Sequence, residues 1–250
     1  MPEPIRFAPG NYAFLGAPGA PFSGAVAAEP GFALHRARFT RPLPMARGFA
    51  ALEAHLRALG RPMTALAGCE LRSPAPMTRE EFAAFNADYL RTLHGWGLMQ
   101  DGLNPAARSN IAPILEVPAE TTLFAFTYTM PAQDASRGDF LISGKPEIRG
   151  GPEGFRETVA EGDASLRGLE RKARFVVEFL QGQVQALGCD WGGVTGTQVY
   201  TPHDIRPLME PVFARAGLTV QGISWFPAWP PVRALDFEAD VRRVRTELAL

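Results

Sequence analysis

The sequence predicts an α+β protein built from two tandem, diverged copies of one unit, each a β-sheet with two helices packed on one face. Three observations carry this expectation. The tripeptide Ala58, Leu59 and Gly60 returns as Ala186, Leu187 and Gly188, and the same spacing of 128 positions lays Gly68 on Gly196, Leu71 on Val199 and Phe85 on Phe213. Ser23 and Gly24 return as Ser143 and Gly144 at a spacing of 120, so a short insertion separates the two registers in the second half. Both halves then read in one order of strands and helices, as an internal duplication requires.

Each element follows from local pattern. The segments MARGFAALEAHLRALG and ASLRGLERKARFVVEFLQGQVQALG repeat apolar residues at helical spacing, and each ends on a glycine suited to a left-handed cap. Strands are expected next, at TALAGCELRS and GVTGTQVYT. Second helices follow over REEFAAFNADYLRTLHGW, where Thr78 and Glu81 make a capping box, and over IRPLMEPVFARAG. Each copy closes on a strand, TTLFAFTYTM in the first and RALDFEADVRRV in the second. The polar stretch AQDASRG between the copies reads as a linker, which places the boundary near Asp134 and the units at 1–133 and 134–250. Helices on one face leave the other sheet face without cover, so association through that face is expected.

Composition excludes several classes of function. A net charge of −1 offers nucleic acid no global attraction. Cys69 and Cys189 fall one in each half and supply neither a disulfide framework nor a metal site, so the cytoplasm is the expected compartment. No apolar run reaches the length of a membrane span or a signal peptide, so no membrane partner is expected. The chain also lacks a Gly-rich phosphate loop, an HExxH pair and a serine-nucleophile elbow. What remains is a protein acting on a small molecule.

One set of motifs points further. A strand bearing Ser-Gly leads to a helix closing on ALG, then to FAAFNADY with Asn86 and Tyr89, then to Pro105, Ala106, Ala107, Arg108 and Ser109 ahead of the last strand. Over nearly the whole chain this resembles the Rid (YjgF) family of enamine and imine deaminases. The tandem arrangement is similar to the deaminases acting on 2-aminomuconate and its chlorinated relatives.

The resemblance implies a chorismate-mutase-like fold with mixed sheets and a substrate carboxylate anchored by Arg108, whose planar guanidinium offers two parallel hydrogen bonds. One extra alanine precedes Arg108 relative to the family's P-A-R-S pattern. Ser23, Gly24 and Ser109 match further substrate-binding positions, and Asn86 matches an asparagine that either orients the substrate or fixes the arginine loop. The family's catalytic glutamate has no counterpart in the first copy, where Leu123 and Phe124 surround its slot. In the second copy that slot holds Asp236, with Glu238 two residues on, while no arginine stands near Trp225. These complementary losses suggest one composite site between the copies, with Arg108 as catalytic anchor, Asp236 as first choice for the proton relay and Glu238 as second.

Other residues stay open. His203 beside Asp204 reads either as a proton shuttle or as a turn and helix cap. Arg137, Lys145 and Arg149 read either as anchors for a second carboxylate or as solvated charges. The family chemistry implied is hydrolysis of an enamine through its imine, releasing ammonia with no metal or organic cofactor, in a trimer of two-unit chains. The alternative is a metabolite-binding or regulatory protein without turnover, which the missing glutamate favours.

Overall fold

The fold is seen in a computed structural model that describes residues 3–16, 22–133, 138–150 and 156–250. The first half runs β1 (Ile5–Phe7), β2 (Tyr12–Gly16), β3 (Ser23–Ala28), β4 (Phe32–Pro44), α1 (Met45–Ala58), β5 (Leu66–Arg72), α2 (Arg79–Gly95), β6 (Ala107–Pro113) and β7 (Thr122–Pro131). The second continues with β8 (Phe140–Ile142), β9 (Lys145–Pro146), β10 (Ile148–Gly150), β11 (Arg156–Thr158), α3 (Leu166–Ala186) and β12 (Gly196–Tyr200). It ends with β13 (Ser224–Phe226), β14 (Ala228–Trp229), β15 (Glu238–Arg243) and β16 (Thr246–Ala249).

The local signals act as the residues dictate. Thr78 Oγ accepts from the Glu81 backbone while the Glu81 carboxylate accepts from Thr78, so both halves of the capping box are present at the start of α2. Gly60 and Gly188 stand just past α1 and α3 with φ of 66° and 70°, in the left-handed region where glycine carries no Cβ penalty. The second helix expected over IRPLMEPVFARAG does not form as an α-helix. It is a 3-10 turn at Arg206–Leu208 followed by a single π-type turn at Met209–Ala214. Pro207 and Pro211 supply no backbone N–H and so interrupt the α-helical ladder.

Two sheets organise the chain, together with the small antiparallel pair β10-β11. One runs β14-β6-β5-β7-β4-β16; the other runs β1-β2-β3-β8-β15-β12-β13, with β9 added along β15. A common unit of pairing occurs in both. β5 pairs parallel with β6 and antiparallel with β7, and β12 pairs parallel with β13 and antiparallel with β15. The expectation of one sheet per half is corrected, because strands cross between them: β3 pairs with β8, β14 with β6 and β16 with β4. Each exchange gives backbone donors and acceptors on a sheet edge a partner from the other half. The expected boundary at Asp134, and Arg137 beside it, lie outside the described residues.

Helices cover the outer faces. Phe49, Leu52 and Leu56 of α1 and Tyr89, Leu90 and Leu93 of α2 pack with Cys69, Leu71, Leu123 and Phe126 of the six-stranded sheet. Leu169, Ala173, Val176, Leu180 and Val184 of α3 pack with Phe140, Val199, Ala239 and Val241 of the other. The inner faces meet each other, so within one chain each sheet covers part of the other.

That inner seam is apolar where Phe14, Val26 and Leu141 meet the six-stranded sheet and polar beyond them. Alternate residues of β5, β12 and β15 point into it, which brings together Glu70, Gln198, Tyr200 and Asp240, each 5% exposed or less. Arg36 of β4 donates to both oxygens of Glu70 at 2.6 and 2.8 Å, and Gln198 Nε2 reaches the same carboxylate across the seam at 3.0 Å. Arg72 lies 4.0 Å from the Phe124 ring and 5.1 Å from Phe226, so its charge rests against π faces.

Burial alone would raise the Glu70 carboxyl, but the charge and paired hydrogen bonds of Arg36 outweigh it and hold the group well below its ordinary 4.5. The unfolded chain binds this proton more tightly than the native state. The resulting stability is therefore complete above pH 4.5 and is lost only as the pH falls through the depressed native value. Arg36→Met is expected to cost about 3–5 kcal/mol in urea unfolding at pH 7, because it strands a buried carboxylate. The gap to the parent protein should narrow below pH 4.5.

Candidate active site

The site is built on β6, β8 and β15. Ahead of β6, the Asn104 side chain donates to Leu98 O and accepts from Ala106 N, which fixes the loop that delivers Arg108. The Arg108 backbone is then gripped on both sides. Its N–H donates to Ser143 Oγ at 3.0 Å, and its carbonyl accepts from Gly144 N at 3.1 Å. Ser143 in turn donates through Oγ to Ser23 O at 2.7 Å and through N to Gly24 O at 3.0 Å. The two Ser-Gly motifs recognised in the sequence thus meet, and they meet at Arg108.

The Arg108 guanidinium sits in an aromatic cage. Its carbon lies 4.6 Å from the Phe22 ring centre, 5.0 Å from Tyr89, 5.3 Å from Phe82 and 5.8 Å from Phe85. Phe82, Phe85 and Tyr89 follow helical spacing on one face of α2. Burial lowers the guanidinium pKa, while Tyr89 and Glu238 work in the opposite direction. Arg108 Nη1 is buried without a hydrogen-bond partner among the described residues, and so is Asn86 Oδ1 on the same helix face. A buried donor and a buried acceptor left open in this way are costly unless a ligand completes them.

Glu238 opens β15 and is 2% exposed. Its carboxyl fills the space a side chain would take at Gly144: a Cβ there would stand 2.0 Å from Glu238 Oε1 and 3.2 Å from Ser109 Oγ. Glycine at 144 therefore lets Glu238 come up against the backbone that holds Arg108. Burial raises the Glu238 carboxyl well above the usual range; Asp240 and Glu147 add to this, and Arg108 and Lys145 oppose it. Ser109 Oγ donates to Asp240 Oδ2 at 2.6 Å. A cavity of about 10 Å³ lies against Arg108 and Ser109, lined also by Cys69, Glu70 and Ser143 among others, and it has room for one water molecule. Burial pushes the Cys69 thiol up to about 12, so it faces this cavity as an inert thiol.

Several sequence expectations find other places. Asp236, the first choice for a proton relay, is not beside Arg108. It precedes β15, and its carboxylate accepts from Lys172 Nζ of α3 at 2.7 Å and stands 3.6 Å from His203 Nε2. The backbone N–H groups of Asp236 and Phe237 both donate to the Glu147 carboxylate, so the strand alternation that would have placed Asp236 with Glu238 begins only at 238. Ser23 and Gly24 touch Arg108 through Ser143, and the Ser23 hydroxyl itself turns back to Ala25 O at 2.8 Å. Asp204 accepts from Arg206 N at 3.0 Å, as a cap does, while His203 faces Asp236. Lys145 and Arg149 lie against Phe179 and Phe175 of α3. Ser143, Gly144 and Asp240 were not singled out as site residues. The repeat of Ser23-Gly24 at 143–144 was the signal available for the first two.

Two substitutions separate framework from chemistry. Lys172→Met removes a fully buried ammonium that pairs Glu147 at 3.2 Å and Asp236, and it should cost about 3–5 kcal/mol by urea unfolding. Gly144→Ala should cost only about 1–3 kcal/mol, as overpacking does, yet displace the Glu238 carboxyl and lower kcat/KM at least tenfold.

Fold and site define an α+β protein in which a caged arginine from the first half of the chain shares a buried seam with a carboxylic acid from the second. A family model described as 2-aminomuconate deaminase CnbZ matches residues 4–248. The chain belongs to this family. It is 42% identical over 252 residues, covering 100% of both chains, to the 2-amino-5-chloromuconate deaminase of Comamonas testosteroni. Among solved structures, a chorismatase is 14% identical with a TM-score of 0.47, over 88% of this chain and 77% of that one. The YjgF gene product of E. coli is 19% identical with a TM-score of 0.30, over 46% of this chain and 91% of that one.

Proposed function

We propose that the chain is a hydrolytic deaminase of 2-aminomuconate or a closely related unsaturated amino acid. Family membership supports the substrate class. The observation that carries the mechanism is the open Arg108 Nη1 inside its aromatic cage, electrostatically coupled to the buried Glu238. The guanidinium takes the substrate carboxylate, the rings bound the flat conjugated chain, and Asn86 Oδ1 accepts from the amino group.

Glu238, protonated because its environment disfavours the anion, donates its proton to the enamine carbon and leaves an iminium. The carboxylate then takes a proton from water as the oxygen bonds to the iminium carbon, giving a neutral carbinolamine. Glu238 next protonates the nitrogen, the C–N bond breaks with its electrons on nitrogen, and ammonia departs. The hydroxyl proton returns to Glu238 as the carbonyl forms. Across the cycle one water is consumed, one ammonia and one ketone appear, and the acid is restored.

Ammonia release from 2-aminomuconate and from 2-aminoacrylate is the direct test. Arg108→Ala should lower kcat/KM for 2-aminomuconate about 10²-fold, as expected for losing a charge-assisted hydrogen-bonded anchor. Glu238→Gln should abolish turnover while keeping the fold. Because native Glu238 holds its proton more tightly than the unfolded chain, the parent protein should lose stability as pH rises above the ordinary carboxylate value of 4.5. Glu238→Gln should be free of that loss in urea unfolding at pH 8. No ammonia from either substrate would overturn the deaminase reading and leave a binding protein.

A further inference from the structure

The seam behind Glu238 contains a second acid that the reaction above does not use. Asp240 lies two residues along β15 on the same strand face, about 7 Å further on, and is 1% exposed. Its Oδ2 accepts from Ser109 Oγ and from Tyr200 OH, both at 2.6 Å, and Gln198 Nε2 stands 3.3 Å from its Oδ1. The direction of these bonds is fixed by the amide. Gln198 Nε2 donates to the Glu70 carboxylate and to Tyr200 OH at 2.8 Å, which leaves the tyrosine proton for Asp240. Donors placed in this way favour the anion of the group they reach.

We propose that Asp240 is a positioning residue whose fixed negative charge, held by Ser109 and Tyr200, keeps the proton on Glu238 and so keeps the acid loaded between turnovers. The inference rests on Glu238 being that acid. Two carboxylates in one buried seam repel each other, so ionising one disfavours ionising the other, and the donors favour the charge on Asp240. Two short hydrogen bonds, from Ser109 and Tyr200, reach Asp240, while Glu238 stands against Gly144.

The other charges facing the pair are consistent with this division. Around Glu238, Glu147 repels the anion and Arg108 and Lys145 attract it. Around Asp240, burial and Glu70 raise its pKa above the ordinary 3.8 against the pull of Arg242 and the bonds from Ser109 and Tyr200, while Glu238 is raised well above its own ordinary value. Arg242 Nη1 stands 4.0 Å from Asp240 Oδ1. The Asp240 charge is thus the nearest source of repulsion on Glu238's own strand, and it is anchored from β6 and β12.

The test is Asp240→Asn, with kcat/KM for 2-aminomuconate followed against pH and the carboxylic C=O stretch of Glu238 followed by infrared difference against Glu238→Gln. Removing the charge should move the alkaline limb at least one pH unit lower, so that activity on that limb falls about tenfold while activity on the acid side persists. The infrared band should vanish at correspondingly lower pH. Tyr200→Phe, which removes one donor and leaves the ring, should shift both readouts in the same direction by a smaller amount, and it carries the test if Asp240→Asn does not fold. Uniform loss of activity, with the limb and the band unmoved, would reduce Asp240 to a structural residue and overturn the proposal. Unchanged turnover in Glu238→Gln would instead remove the assignment of Glu238 as the acid, a failure read in a different variant.

Discussion

The structure depends on one constraint: the inner faces of its two sheets carry charge, and charge withdrawn from water must be paired. Arg36 with Glu70, Ser109 and Tyr200 with Asp240, and Gln198 between them close most of those demands. A seam of this kind gains less from burial than an apolar one would, and breaking any of its pairs strands a partner. It fixes how the sheets sit on each other, because the pairs form only in one alignment.

The site follows from that alignment. Each half adds strands to the edges of the other's sheet and the two sheets face each other, so the loop ahead of β6 and the start of β15 are brought to the same place. Ser143 and Gly144 form the joint: one holds the Arg108 backbone by its hydroxyl, the other admits the Glu238 carboxyl by having no side chain. The cage around Arg108 and the seam behind Glu238 act on opposite charges. One lines a cation with ring faces and leaves a donor open, and the other surrounds an acid with conditions that keep its proton.

Much of this was legible in the residues. Helical spacing, capping at Thr78 and the terminal glycines located α1, α2 and α3, since those signals act within a few residues of chain. The Rid-like motif singled out Arg108, and the acid missing from the first copy directed attention to the end of the second. The choice between Asp236 and Glu238 was not legible. Two acids two positions apart read as one strand face, and only the Glu147 carboxylate binding the backbone at 236 and 237 shows that the strand begins later. The signal against a second helix in the second half is Pro207 and Pro211, which lack the N–H that an α-helical ladder needs.

By itself the sequence determined the α+β character and the places of α1, α2 and α3, which are written in spacings along the chain, and its family resemblance pointed to the arginine at 108. The tertiary structure decided that the polar faces of β5, β12 and β15 meet one another instead of water, that the halves exchange strands, and that Glu238 is the acid beside Arg108. The alternation in Glu238–Arg243 is the same whether its charged face looks at solvent or at another sheet. What separates the two is the presence of Glu70 and Ser109 opposite, and those partners come from the other half of the chain.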